Sequence, residues 1–419
     1  MAGEEGDAQT TAEAVARRSY GKLVAFLAAR TRDVAAAEDA LAEAFASALA
    51  DWPGAGTPDN PEGWLITVAR RKLFDASRRE KTSASFEPQL QLIAEELHGS
   101  EAMDIPDQRL ALMFACAHPA IEESLRAPLI LQVVLGLNAE TIASSFLTSP
   151  SAMSKRLVRA KDKIRRAGIP FAVPAREDLP ERLSAVLDAI YAAFTEGWTD
   201  PAGTDSARRD LTGETLFLAN LTAELMPDEP EALSLAALMF HAEARRPARR
   251  NAAGDFVPLA EQDVDQWNTR LIDQANALIR RAGAKQNLGR YELEAALQSA
   301  HAHRRLTGRS NWRDIIALYD ALQMIAASPV VAINRALAIA ELKGPGAALD
   351  AMPDAETDPR LASYQPYWAA RADLLARWGA TSEAAQAYDM AIGLERDPAV
   401  RRFLQKRKVM AAGAPRAEP

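Results

Sequence analysis

The sequence predicts an all-α protein of two or three domains. Three observations carry this: alanine and leucine dominate while aromatic residues make up 6%, β-branched runs are short, and the apolar residues recur with helical spacing along most of the chain. At 419 residues there is enough chain for more than one core. A net charge of -8 argues against indiscriminate binding of the whole molecule to nucleic acid, so any basic surface is local. The lone cysteine, Cys116, excludes an intramolecular disulfide and a cysteine-rich zinc site. The stretch MAGEEGDAQTTAEAVARR is acidic and lacks an apolar centre, unlike a secretory leader. No apolar run is long enough to span a bilayer, so a cytoplasmic location is expected.

Residues 1–12 read as a disordered tail. From Ala14 to Arg30, Val15, Tyr20, Leu23, Val24 and Leu27 line one face of a helix. The next helix, Val34 to Leu49, turns Leu41, Phe45 and Ala48 to one side and Asp39 and Glu43 to the other. Nothing near these carboxylates would bind a metal, so they mark a docking face or a solvated surface. The proline- and glycine-rich DWPGAGTPDNP, 51–61, is expected to break the helical pattern. Glu62 to Arg79 then forms a helix with Leu65, Ala69, Leu73 and Ala76 inward and Trp64, Thr67, Arg71, Phe74 and Arg78 outward. Aromatics interleaved with arginines suit single-stranded nucleic acid, because rings stack on bases while cations follow the backbone. The plainer alternative makes Trp64 and Phe74 core residues.

Lys81 to Met103 is polar and irregular and reads as a flexible linker. Asp104 to His118 is a helix with Leu110, Met113, Phe114 and Ala117 inward; within it Cys116 is read as a core residue rather than a nucleophile. The segment 136–166 has the grammar of a helix-turn-helix. Asn138 caps a first helix reaching Phe146, three residues turn the chain, and Ser149 caps a second helix with Pro150 at its first position. Met153, Leu157, Ala160 and Ile164 make its inward stripe; Ser151, Lys155, Arg159 and Arg166 point away. Between 151 and 170 seven basic residues oppose one acid, Asp162, a face suited to phosphates and base edges in a major groove. A helical pair with a merely wet basic face is the competing reading.

Taken in order, AEDALAEAFASAL (37–49), NPEGWLITVARRKLFDASRR (60–79) and GLNAETIASSFLTSPSAMSKRLVRAKDKIR (136–165) resemble regions 2.2, 2.3–2.4 and 4 of an extracytoplasmic-function (ECF) sigma factor of the sigma-70 family. The resemblance covers about the first two fifths of the chain. It implies a region 2 bundle at 13–80, a linker at 81–103 and a region 4 helix-turn-helix at 104–170. It also implies roles: Asp39, Leu41, Glu43 and Phe45 would meet the β′ clamp helices of core RNA polymerase. Trp52, Asn60, Trp64, Thr67, Arg70, Arg71, Phe74 and Arg78 would read and open the minus-ten element, with a base held in the 51–61 loop. Ser151, Ala152, Ser154, Lys155, Arg156 and Arg159 would sit at minus-thirty-five. Thr141, where family members often carry glutamate, and the Pro150-Ser151 start of the recognition helix depart from the pattern, so base preference does not carry over.

After the proline-rich stretch near 169–180, helical periodicity recurs at Leu179–Trp198, Gly213–Leu225, Glu231–Ala244, Asp263–Ala282, Tyr291–Leu306 and Trp312–Ala326. Near the end, Trp368, Ala372, Gly379, Ala384, Tyr388 and Ala391 fall at tetratricopeptide (TPR) spacing, and Val330–Ala351 is a degenerate unit before it. Residues 180–410 are therefore expected to form a TPR-like α-solenoid, which resembles the ECF subgroup with such an extension and implies that it modulates activity through a protein or peptide partner. DFVPLAEQDVDQWN (255–268) is either a partner site or a helix cap with Trp267 packed inside; packing is favoured. No nucleotide loop, triad or metal spacing is present, and His98, His118, His241, His301 and His303 are scattered. The sequence thus points to a non-enzymatic, cofactor-free transcription initiation factor. The rival reading is a helix-turn-helix regulator or adaptor that never engages polymerase.

Overall fold

The computed structural model describes residues 2–31, 34–80, 107–167, 174–198, 206–285 and 288–413. The expected linker 81–103 lies outside them. The described elements are helical throughout, as expected, apart from one isolated antiparallel bridge between Arg250 and Phe256. The chain divides into two compact units, residues 1–197 with 207–218, and 198–206 with 219–419.

In the first unit, α1 (Ala2–Thr31) begins at once, so the segment read as a disordered tail is helical. Val15, Leu23, Val24 and Leu27 are buried. α2 (Val34–Ala55) also runs further than expected, through Pro53. Its buried stripe, Ala37, Leu41, Ala44 and Ala48, continues to Trp52, 2% exposed; that burial holds the last turn helical. Gly56, with φ 84°, ends it. Asn60 accepts from the Gly63 amide at 3.0 Å and starts α3 (Pro61–Glu80), where Leu65 and Ala69 are fully buried and Leu73 is half-buried. The Ala76 side chain lies outside the described ones.

Asp107 caps α4 (Gln108–Cys116), accepting from the Arg109 and Leu110 amides. Every residue from Leu110 to Ala117 is buried, Cys116 included. α5 (Glu123–Val133), absent from the sequence reading, buries Leu125, Ala127, Pro128, Leu129, Ile130, Leu131 and Val133. α6 (Ala139–Ser145) and α7 (Pro150–Ala167) form the expected pair. α1 approaches α5 so closely that a methyl group at Gly21 would sit 1.5 Å from the Val134 carbonyl oxygen. α8 (Leu179–Trp198) buries Leu183, Val186, Leu187, Ile190 and Phe194, and Arg182 donates to the Phe114 carbonyl at 3.3 Å. Arg109 joins Asp107 to Glu214 of α9 (Ser206–Leu225), at 3.0 and 2.6 Å. The division into compact units therefore does not fall at the expected 170–180 boundary: α8 and residues 207–218 pack with the first unit.

The second unit is centred on α10 (Pro230–Ala244), buried almost all round and packed on α11 (Thr269–Gly283) and α12 (Arg290–Thr307). The Glu231 carboxylate accepts from the Tyr291 and Glu292 amides, both at 3.1 Å, capping α12 from a neighbouring helix. α11 starts at Thr269, later than the expected Asp263, because Asn268 caps it (3.2 Å to the Leu271 amide) and Asp263 caps a short 3-10 turn instead. Trp267 is buried against Ala244, Ala248 and Ile272, in line with the packing alternative. α13 (Trp312–Ile325), α14 (Pro329–Lys343), α15 (Pro345–Ala351), α16 (Gln365–Trp378), α17 (Thr381–Leu394) and α18 (Pro398–Gly413) pack largely on their sequence neighbours. At the expected repeat, Ala372, Ala384, Tyr388 and Ala391 are buried, Trp368 is half-buried with its indole donating to the Ala362 carbonyl at 3.0 Å, and Gly379 makes the left-handed cap of α16.

Candidate polymerase and nucleic-acid interface

On α2, Asp39 and Glu43 are exposed and share one face. Glu43 lies 3.3 Å from Lys72 of α3, a solvated pair that a partner can displace at little cost. Leu41 is fully buried and is not available to a partner; it holds the helix from behind. Phe45 is half-buried and stacks on Tyr20, ring centroids 6.5 Å apart. Glu38, beside Asp39, has no distinguishing local pattern in the sequence. Its side chain, 12% exposed, pairs with Lys161 of α7 at 2.6 Å. Burial raises the Glu38 carboxyl above its usual range despite the opposing Lys161 charge, and burial together with Glu38 and Asp39 raises the Tyr20 phenol.

The end of α2, the following loop and the start of α3 enclose a recess of about 560 Å³ lined by Asp51, Trp52, Gly56, Pro58, Asp59 and Trp64, among others. Trp52 is buried and meets the half-buried Trp64 edge to face at 5.5 Å. Trp52 is therefore the floor of this recess rather than an exposed reading residue; Trp64 is its wall. The side-chain oxygen of Asn60 is committed to the α3 cap. Thr67, Arg70, Arg71 and Phe74 are exposed at i, i+3, i+4 and i+7, one continuous stripe of α3. Arg70 lies over the Phe26 ring at 5.1 Å, and the Thr67 hydroxyl donates to the Gly63 carbonyl at 2.8 Å. The Arg78 side chain lies outside the described ones.

The helix-turn-helix forms as its caps dictate. Asn138 accepts from the Thr141 amide at 2.9 Å and Ser149 from the Ala152 amide at 3.3 Å. Between the helices Leu147 takes φ 48°, a left-handed conformation that costs a bulky residue energy and is held by the Thr148 amide bonding the Ala143 carbonyl at 3.0 Å. Met153, Leu157, Ala160 and Ile164 face inward. Ser151, Ser154, Lys155 and Arg159 are exposed, joined by Val158, which the sequence reading did not single out. Ala152 and Arg156 are half-buried, and Arg156 donates to Ser124 at 2.8 Å. Lys161, one of the seven basic residues of 151–170, turns to α2; it follows Leu157 by four positions, which puts it at the edge of the inward stripe. The Arg166 side chain lies outside the described ones.

Among the described residues no three His, Cys, Asp or Glu side chains cluster to hold a metal ion, and no helix is long and apolar enough to cross a membrane.

Residues 15–82 match sigma-70 region 2, the span that carries the acidic face, the recess and the α3 stripe. The chain is also 37% identical over 372 residues to an uncharacterized protein of Rhizobium meliloti (strain 1021), covering 87% of each. The chain belongs to one family with that protein, and its residues 15–82 form a segment similar to sigma-70 region 2. Residues 182–283 match a family of unknown function (DUF6596), a span that runs from α8 to α11. No solved structure matches it.

Proposed function

We propose that this chain is an ECF-type RNA polymerase sigma factor that directs promoter-specific initiation, and that its C-terminal helices, TPR-like in their small-residue packing, modulate that activity. The observation that carries the reading is the Thr67-Arg70-Arg71-Phe74 stripe beside the recess floored by Trp52 and walled by Trp64, inside the segment similar to sigma-70 region 2. A half-enclosed aromatic recess takes a base turned out of the stack, while the arginines follow phosphates and Phe74 offers a stacking face. Asp39 and Glu43 dock the β′ clamp helices. Ser151, Ser154, Lys155 and Arg159 enter the major groove upstream. The factor does no covalent chemistry of its own and works in the cytoplasm. An adaptor that never meets polymerase would have no use for an acidic docking face next to a melting helix.

Run-off transcription with core polymerase on the promoter of its own gene tests this. The full chain should yield transcripts absent with core alone. Reversing Asp39 and Glu43 to lysine together should abolish co-purification with core while leaving the circular-dichroism spectrum unchanged. Normal core binding by that double variant would remove the docking assignment.

A further inference from the structure

In the second unit one indole stands outside the packing of the helices. Trp378 closes α16 and is 60% exposed, a large apolar face left in water. Its position is nevertheless fixed. The ring lies against the backbone of Gly346 at the start of α15, where a β-carbon would come within 2.6 Å of the indole. Arg377, the residue before it, pairs with Glu341 of α14 at 2.7 Å and with Asp373 at 3.7 Å, which ties the ends of α14 and α16 together. Gly379, with φ 86°, turns the chain away directly after the ring. An aromatic face held rigid and open to solvent has its ordering cost already met in the free protein, which favours binding.

The ring walls a recess of about 410 Å³ whose other sides include Lys343, Gly344, Pro345, Gly346 and Asp350, room for a few residues of a peptide. Lys343 and Asp350 are exposed, and among the described residues neither has an ion-pair partner and nothing accepts from the Trp378 indole N–H.

These features select among the ways a protein holds a peptide. An added β-strand needs an unpaired sheet edge, and the walls here are helices with their backbone groups bonded internally. An amphipathic helix needs anchor sites spread over two turns, whereas this recess offers one ring. A polyproline II segment needs neither: its backbone stays solvated and its prolines pack on an aromatic face. Gly344 and Gly346 carry no side chain to bar its approach. Charge sets the flanks. Asp350 lies six positions after Gly344, about 9 Å along α15, and three residues of polyproline II cover about the same distance. An acid near Lys343 and a base near Asp350 therefore stand three positions apart, with two prolines between them.

We propose that this recess docks a partner protein through a peptide of the form acid-Pro-Pro-base. Trp378 packs on the prolines and its indole N–H donates to a peptide carbonyl, while Lys343 takes the acid and Asp350 the base. The site lies wholly within the second unit and does not depend on the sigma reading.

Fluorescence anisotropy of the full chain with a labelled Gly-Ser-Glu-Pro-Pro-Arg-Ser-Gly peptide tests it. The peptide should bind saturably. Trp378→Ala, at an exposed position, should leave the circular-dichroism spectrum unchanged and weaken binding by about tenfold. Gly346→Ala keeps the indole but drives a methyl group against it, and should weaken binding by about threefold. A peptide with Gln at both charged positions should bind about threefold more weakly, and one with Ala for both prolines about tenfold. No saturable binding, unchanged affinity in Trp378→Ala, or equal affinity for the alanine peptide would overturn the site. None of these outcomes touches the sigma reading, which run-off transcription decides separately.

Discussion

Two basic segments that look alike in the sequence are treated in opposite ways by the fold. On α7, Lys155, Arg159 and Lys163 are exposed, and among the described residues no carboxylate pairs with them. After α10, RRPARR is stitched into the second unit: Arg246 bonds Glu243 at 2.8 Å, Arg250 pairs with Asp397, and Arg245 donates to Gln298 at 2.6 Å. Arg249 donates to the Trp198 carbonyl at 2.6 Å with its guanidinium 3.7 Å from the Trp198 ring. Burial first, then the neighbouring Arg245, Arg246 and Arg250, push its pKa down to about 9. The difference teaches that a run of positive charge says nothing about its use until its partners are known. Cations that the protein leaves to solvent remain available to phosphates, whereas cations that the protein has already satisfied hold elements together.

The largest effect that would sharpen this contrast is on stability. Arg250→Ala strands Asp397, 22% exposed, without its partner and should lower the unfolding free energy of the second unit by about 3 kcal/mol. Arg159→Ala should change stability by no more than about 0.5 kcal/mol. Urea titrations of both variants check this, and equal losses would break the comparison.

Next in size is a dependence on pH. Burial and Arg245 push the His241 imidazole down to about 4, and burial with Arg245 and Arg304 does the same to His301. Both are depressed from an unfolded value near 6.5, so between pH 6.5 and 4 the unfolded chain binds more protons. Their contribution is complete above pH 6.5 and is lost as the pH falls towards 4, by about 2 kcal/mol per histidine at pH 4.5. Denaturation at pH 7 and 4.5 should show this loss, and His301→Gln should reduce it by about half.

Smallest in energy but decisive for function is Arg159→Ala assayed as initiation. It should reduce promoter-dependent transcripts by about tenfold at unchanged core binding, and lower the salt dependence of promoter binding by about one ion. Unaltered initiation would mean that another face meets DNA.

Much of the fold was legible because the signals were local. Asn138, Ser149 and Pro150 state where the helix-turn-helix begins and turns, and Leu179 to Trp198 was bounded correctly by periodicity alone. α5 was not legible: it is apolar nearly all round, so no stripe stands out against a polar face. Trp52 reads as a loop residue because Pro53 and two glycines follow it, although the 37-41-44-48 stripe points directly to position 52. Lys161 was obscured by its company, six other cations in the same stretch, while its spacing from Leu157 gave the correct direction. What no local pattern conveys is which distant carboxylate a cation finds, as Lys161 finds Glu38 and Arg250 finds Asp397.

Cys116, fully buried on α4 with its thiol raised by burial above the ordinary range, is more than a core methylene. A thiol in that position reacts with alkylating reagents only while its helix is uncovered. The chain therefore carries an internal clock: the rate at which Cys116 is labelled counts how often the first unit breathes, without any probe being attached in advance.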